Sequence, residues 1–390
     1  MLPKSEWPKY DKATIVKVVN CLKSGKVNYH SGKFCKKFEK LFAKKFGVKY
    51  CCAVTNGTVA LDIAIRVLSL EKNYNIITTP KSYFSSSSQI IRNNLKIIYS
   101  DISLISQNLD PKYLLKKINS KTKAVIFVHL GGNSDGILEI SKICKKKKIF
   151  LIEDCSQAHG SKFNHKYSGT FGDISIWSFC NDKIISTGGE GGMIATNNKS
   201  LYMKIWSERD IGRNYKKYYE ETQSNGYKYL HDFIGTNARM TELQGLIGIE
   251  HLRNLNNFLK KRNNNASIIL NKIKKFKNCF FCFEKKLEGQ VNSYYRLNLI
   301  INPLYYKRFS NRNLIQDDLN SKNYFCQVGG CSELYLERSI KQKVKIKSLQ
   351  NAKISAENSI SFIVDNTLKR NDVVKYSKYI YKVLSKHLVI

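Results

Sequence analysis

Between residues 50 and 200 the chain switches repeatedly between two sequence periods. Short apolar runs stand at 50–54, 75–79, 95–99, 124–128, 149–152 and 174–177, and helical patterns such as 59–67 and 137–144 fall between many of them. Strands separated by helices predict an α/β fold, a mostly parallel central sheet flanked by helices on both faces. With 390 residues, 42% of them hydrophobic, the chain has ample material for such a core. Residues 201–260 read as helical, with 240–252 the clearest stretch. After about 265 the texture changes: an alternating segment at 294–301 and a helix-like one at 332–337 predict a smaller α+β unit. The expected division is a large domain over 1–260, including the N-terminal segment, and a small C-terminal domain over 261–390.

No apolar run approaches the ~20 residues that cross a bilayer, and Met1 to Trp7 lack the apolar stretch of a signal peptide. These features predict a cytoplasmic protein without a membrane partner. The 11 cysteines fit that compartment, because reduced cysteine behaves as a small hydrophobe in strand-like runs such as those holding Cys51, Cys52 and Cys155. Cys279 and Cys282 have the spacing of a metal knuckle, but Cys326 and Cys331 do not repeat it, so no metal site is expected. The net charge of +36 is spread over short lysine runs such as Lys145 to Lys148. These read as solvated faces, no nucleic-acid module is legible, and no nucleic-acid partner is expected. The basic balance does favour anionic small-molecule substrates.

In a parallel sheet, ligands bind beyond the carboxyl ends of the strands. Asp154 ends the run 149–154 there, with Gln157 shortly after it. Thr55-Asn-Gly57-Thr58 joins a strand to a helix, and the free N–H groups of a helix's first turn suit an anion. Each motif also has an ordinary reading: Asp154 as a cap, Asn-Gly-Thr as a turn, Phe84 in the run 80–88 as core. Lys183 changes the balance. It follows Ser178-Phe-Cys-Asn-Asp and precedes the glycine-rich stretch 188–192. Burial there is expected to lower its pKa and free its amine as a nucleophile. A Schiff-base amine and a carboxylate at a strand end are the protein groups that pyridoxal 5'-phosphate needs.

Taken together, Asn56 to Leu61, Glu153 to Gly160, Ser178 to Lys183, Gly188 to Gly192 and Gly235 to Gln244 give the chain its resemblance to a known family. It resembles the DegT/DnrJ/EryC1/StrS sugar aminotransferases, fold-type I pyridoxal phosphate enzymes, over nearly its whole length. The resemblance implies that Lys183 is the catalytic lysine that binds the cofactor as a Schiff base. It implies that Asp154 pairs with the pyridine nitrogen and that Gln157 lies near the cofactor's O3′. Gly57, Thr58 and Ser178 would hold the phosphate, and Phe84 would stack on the ring. Asn237 and Arg239 would reach into the neighbouring subunit's site in a homodimer with shared active sites. Asn28, His30 and Tyr335 match regions that form the sugar-nucleotide site. The implied reaction moves an amino group from L-glutamate to a nucleotide-linked keto sugar, 4-keto-6-deoxy before 3-keto. It would serve amino-sugar or surface-polysaccharide biosynthesis such as lipopolysaccharide O-antigen.

One branch of the family carries histidine at the lysine position and removes a hydroxyl, so Lys183 favours transamination over a dehydratase. A lysine-bearing branch makes aminohydroxybenzoate, and a non-catalytic sensor of the same fold is a further alternative. Two departures bear on the substrate. Ile211-Gly-Arg213 stands where many relatives have His-Gly-Lys, and Asp365-Asn366 where many have His-Pro.

Overall fold

The computed structural model describes residues 5–219, 230–283 and 289–389. Nine strands precede residue 200: β1 (Tyr50–Val54), β2 (Asn75–Thr78), β3 (Lys96–Tyr99), β4 (Thr122–Val128), β5 (Phe150–Asp154), β6 (Lys162–Phe163), β7 (Lys166–Tyr167), β8 (Ile174–Ser178) and β9 (Gly192–Thr196). Apart from the small β6–β7 hairpin they form one sheet, in the order β1-β9-β8-β5-β4-β2-β3. The pairs β2–β3, β2–β4, β4–β5 and β5–β8 are parallel. β9 alone runs antiparallel to both of its neighbours.

Helices cover both faces, and the alternation of side chains along the strands shows it. Ile76, Ile126 and Ile176 enter one apolar cluster, whereas Ile77, Val125, Phe127, Trp177 and Met193 enter clusters on the other side. Strands buried on two faces lose their polar alternation and read as continuous apolar runs. β9 was not among the expected strands. It is antiparallel because the link from β8 contains no helix and so no crossover. That link carries Lys183.

All 11 cysteines are unpaired. The Cys282 thiol accepts the Ile300 N–H at 3.1 Å and the Gln107 amide at 3.2 Å. No helix among the described residues is long and apolar enough to cross a membrane.

The stretch 201–260 is less helical than expected. Helices cover Lys199–Arg209, Tyr215–Tyr219 and Glu242–Lys272. Residues 230–241 run irregularly, joined to the large sheet's edge by the bridge between Arg239 and Val54, and 220–229 lie outside the described residues. The helix Glu242–Lys272 starts at a capping box of Thr241 and Gln244 and continues past the expected division at 260. Beyond it, β10 (Leu297–Ile300), β11 (Cys326–Gln327) and β12 (Ser359–Phe362) make a second sheet in the order β10-β12-β11. This sheet and the helix Arg370–His387 share an apolar cluster of their own. The later segment around Leu334, Tyr335 and Ile340 packs instead into the large sheet's cluster.

Candidate active site

The carboxyl ends of β1, β2, β4, β5 and β8 open onto one cavity of about 860 Å³, closed on its far side by residues of the C-terminal sheet. Gly57, Thr58, Phe84, Asp154, Gln157, Ser178 and Lys183 all line it. Seven positions spread over more than 120 residues of chain are thus brought together by the parallel topology.

The helix Gly57–Arg66 begins at the cavity wall. Asn56 caps it, its Oδ1 accepting the Val59 N–H at 2.9 Å. Ser178, the last residue of β8, passes close by. A Cβ on Gly57 would lie 2.6 Å from the Ser178 Cβ, so only glycine lets the helix start and the strand end share this corner. Asp154, the last residue of β5, is buried, and its Oδ1 accepts the Ser156 N–H at 3.0 Å. Gln157 uses its Oε1 to accept the Gly131 N–H at 2.7 Å, which leaves its NH2 to donate to a ligand.

Lys183 is held from behind. Its carbonyl accepts the Trp7 Nε1–H at 2.7 Å and its own N–H donates to the Cys180 carbonyl at 3.1 Å. Its Nζ lies 3.6 Å from Asp182 Oδ1 and 4.6 Å from the Tyr295 ring centre, with the side chain 15% exposed. The expectation of a lowered pKa is corrected here. Burial is the largest single influence and does pull the pKa down. The Tyr295 oxygen and the Asp182 and Asp154 carboxylates together outweigh it and hold the amine above the ordinary lysine value. Tyr295 itself, pushed up chiefly by burial, donates its hydroxyl to Asp182.

This corner has the parts of a pyridoxal phosphate site, and the sequence model of the DegT/DnrJ/EryC1/StrS aminotransferase family matches residues 8–377. The chain belongs to that family. Family relatives resemble it over most of their length. GDP-perosamine synthase from Escherichia coli O157:H7 is 33% identical over 283 residues, 73% of each chain. A dTDP-3-amino-3,6-dideoxy-alpha-D-galactopyranose transaminase from Aneurinibacillus thermoaerophilus is 33% identical over 61% of this chain and 62% of its own. The crystal structure of an aminotransferase from Psychrobacter cryohalolentis superposes with a TM-score of 0.95, at 32% identity, covering 98% of this chain and 99% of the other. This chain is a pyridoxal-phosphate-dependent aminotransferase of fold-type I.

The residues present fit that cofactor. The cradle that a Gly57 Cβ would fill lies between a helix N-terminus and a serine, as a phosphate requires. Asp154 offers a buried carboxylate, and Lys183 an amine at the same cavity. Replacing Gly57 by alanine should therefore weaken the cofactor's phosphate site. Overpacking of this kind costs about 1–3 kcal/mol, which corresponds to a loss of roughly 5- to 150-fold in pyridoxal phosphate affinity. Titration of the apo-protein with the cofactor reads it, and unchanged affinity would remove Gly57 from the phosphate site.

Two aromatic residues compete for the place of the stacking ring. Phe84 lines the cavity but also a shallow groove with Glu337 and Gln342, and it is 38% exposed. Tyr83, its neighbour in the same run, lines the same cavity and is 70% exposed. Tyr335 is corrected: its side chain is 2% exposed, edge-on to Tyr99 at 5.7 Å, and its hydroxyl donates to Glu333 at 2.6 Å. An apolar run in a 3-10 turn turned this ring into the core. Its neighbours Leu334 and Glu337 line the cavity instead.

Asn28, His30, Asn237 and Arg239 do not line this cavity. His30, Asn237 and Arg239 gather around the buried Asp210. Arg239 Nη1 lies 2.6 Å and Arg213 Nη1 3.4 Å from Asp210 Oδ1, and His30 Nε2 3.2 Å from Oδ2. Asn237 pairs with Asp210 through the backbone, and Asn28 Oδ1 accepts the His30 N–H at 2.9 Å. The unusual Ile211-Gly-Arg213 belongs to this cluster, whereas Asn366 lines a separate cavity with Trp7, behind the Lys183 loop. His129, Glu153 and Cys155 lie close enough together to suggest a metal. However, Glu153 already accepts the Gly169, Phe171 and Gly172 N–H groups and a His129 ring nitrogen, which makes it a structural strut.

Sequence reasoning missed Asp182, Tyr295 and Arg296. Asp182 was visible beside Lys183, but the two others come from the C-terminal part of the chain in no recognisable motif.

Proposed function

We propose that this enzyme transfers an amino group from L-glutamate to the keto carbon of a nucleotide-linked sugar, a 4-keto-6-deoxy sugar before a 3-keto one. The placement of Lys183 and Asp154 on one cavity, in a family of sugar aminotransferases, carries the proposal. The similarity to GDP-perosamine synthase and to a dTDP-amino-sugar transaminase supports the substrate class. Surface-polysaccharide assembly, such as O-antigen synthesis, is the pathway that would use the product.

Bound pyridoxal phosphate supplies an electron sink for the charge left when a proton departs from carbon. Gly57, Thr58 and Ser178 hold the phosphate, Asp154 keeps the pyridine nitrogen protonated, and Gln157 donates to O3′. Tyr83 or Phe84 covers the ring. The Lys183 amine takes the proton from the donor's Cα. In the second half of the reaction it returns a proton to the sugar carbon that carried the keto oxygen. Tyr295 and Asp182, beside Nζ, keep that amine in position.

A homodimer with shared sites is part of the proposal. Among the described residues, the ionisable groups lining the cavity include the carboxyls of Asp154, Asp182, Glu190 and Glu337 but only Lys183 and Arg296 as cations. The cofactor's phosphate and the substrate's diphosphate are anionic, so further positive charge has to come from outside. Arg213, Arg239 and His30, clustered around Asp210 away from this cavity, are the groups that a second copy would supply.

The test is the mass of the product formed from glutamate and GDP- or dTDP-4-keto-6-deoxyhexose. A product with nitrogen in place of the keto oxygen is expected. Loss of a hydroxyl without gain of nitrogen would make the enzyme a dehydratase.

A further inference from the structure

The link from β8 to β9 that carries Lys183 runs as turns and irregular chain. A reacting side chain on such a link needs outside support, because productive geometry tolerates only about 0.5 Å of drift. The support comes from the N-terminal segment and from the helix Glu242–Lys272. The Trp7 Nε1–H donates to the Lys183 carbonyl at 2.7 Å, across 176 positions of chain. A little further along the link, the Ser186 N–H donates to His251 Nδ1 at 3.3 Å, and the Tyr10 hydroxyl lies 3.4 Å from the Ser186 hydroxyl. Burial pushes the His251 pKa down to about 4, so the ring stays neutral and can accept. Tyr10 stacks on His251 at 5.2 Å. Trp7 packs against His251 at 5.1 Å and edge-on to Phe258 at 5.2 Å.

The opposite side of the amine hangs from the same frame. Arg262, buried on that helix, donates from Nη1 to the Tyr294 and Tyr295 carbonyls at 3.2 and 3.3 Å. Its guanidinium carbon lies 5.8 Å from the Trp7 ring centre. The indole edge thus grips the Lys183 backbone, and the arginine beside the indole grips that of Tyr295. Between them Lys183 Nζ stands 4.6 Å from the Tyr295 ring centre and 3.6 Å from Asp182 Oδ1. We infer that Trp7 is a positioning residue for Lys183: its indole N–H sets where the link holds the reacting amine against Tyr295 and Asp182. The inference rests on the aminotransferase reading above. Packing against His251 and Phe258 needs only an aromatic ring. The N–H donated to the carbonyl of Lys183 itself is the part that packing does not require.

Trp7→Phe keeps a ring and drops the donor. Benzothienylalanine at position 7 is the closer isostere, with both rings kept and sulfur in place of the N–H. Each holoenzyme is compared with the parent in kcat, in KM for glutamate and for the keto-sugar nucleotide, and in the pH titration of the lysine-bound visible band. In both variants kcat should fall roughly 10- to 100-fold, the scale of an ångström's misplacement of a reacting group, while both KM values hold. The band should titrate at lower pH than the parent's, because the amine drifts from the carboxylates that favour its charge. Parental kcat and parental titration would reduce Trp7 to packing, whatever happens to the thermal transition. A fall in kcat with the band titrating as in the parent would place the loss away from Lys183 and overturn the inference. A raised KM at parental kcat would tie the indole to substrate binding and overturn it as well. If the parent itself shows no lysine-bound band, the aminotransferase reading falls. If parent and variants share one normal band, only the Trp7 assignment does.

Discussion

Lys183→Ala should fold normally, bind pyridoxal phosphate without its lysine-bound visible band, and fail to turn over. The fold should survive because the ties at this position are made by the backbone. Alanine keeps the carbonyl that accepts from Trp7 and the N–H that donates to Cys180. The side chain's own neighbours are Asp182 and Tyr295, which already bond to each other. Two functions disappear together. The covalent attachment goes, and so does the amine that moves the proton from the donor's carbon. General acid–base catalysis alone is worth ~10²–10⁴-fold, and the lost attachment adds to that. Product formation measured by mass, beside the thermal transition of the same sample, checks both halves. Retained turnover within about tenfold of the parent, well above what losing the proton carrier permits, would show that Lys183 is not the reacting group.

The sheet and the corner holding Lys183 were legible because both rest on local chemistry. Strands β1 to β5 and β8 are apolar runs bounded by turn residues, and all but the edge strand β3 are largely buried on both faces, so each announces itself. Gly57, Asp154 and Ser178 sit at strand ends, where a parallel sheet must gather its ligands. What failed to show has equally physical reasons. β9 follows a glycine-rich turn, and its direction depends on the absence of a helix in the loop before it. The irregular stretch 230–241 carries the poor helix formers Gly235, Thr236 and Asn237 between more helical neighbours, and it is held in place by pairing to distant backbone, which no local pattern reveals. Tyr335 illustrates a limit of carrying roles over by likeness. The segment reaches the cavity, but a 3-10 turn decides which neighbour faces it, and Leu334 and Glu337 do. Burial alone would lower the Lys183 pKa, but the fold brings Tyr295, Asp182 and Asp154 beside the amine, which no local pattern shows, and these raise it. Tyr295 and Arg296 lie more than 100 residues from Lys183, and only the folded chain brings them to its cavity.

Asp154→Asn should leave the cofactor bound and the reaction crippled. The carboxylate closes β5, is buried, and spends one oxygen on the Ser156 N–H. Asparagine keeps the size and can keep that bond through its amide oxygen. It cannot hold a proton on the pyridine nitrogen, because a neutral amide gives a cationic ring no counter-charge. The phosphate contacts proposed for Gly57, Thr58 and Ser178 and the attachment proposed for Lys183 would be untouched, so affinity for pyridoxal phosphate should fall by less than turnover. Removing one preorganised electrostatic partner of the reacting centre costs roughly 10²–10³-fold in kcat, and a loss of that size is expected here. Both half-reactions should slow together, since each needs the same charge on the ring. Stopped-flow absorbance after adding glutamate measures the first, and 2-oxoglutarate added to the aminated form measures its reverse. The arrangement also separates this role from a cap at the end of β5. An asparagine cap is as good as an aspartate one, so a merely structural Asp154 would give a variant with unaltered rates. If Asp154→Asn reacts with glutamate as fast as the parent, the charge on the pyridine nitrogen is controlled elsewhere, and the buried carboxylate at the end of β5 is only a cap.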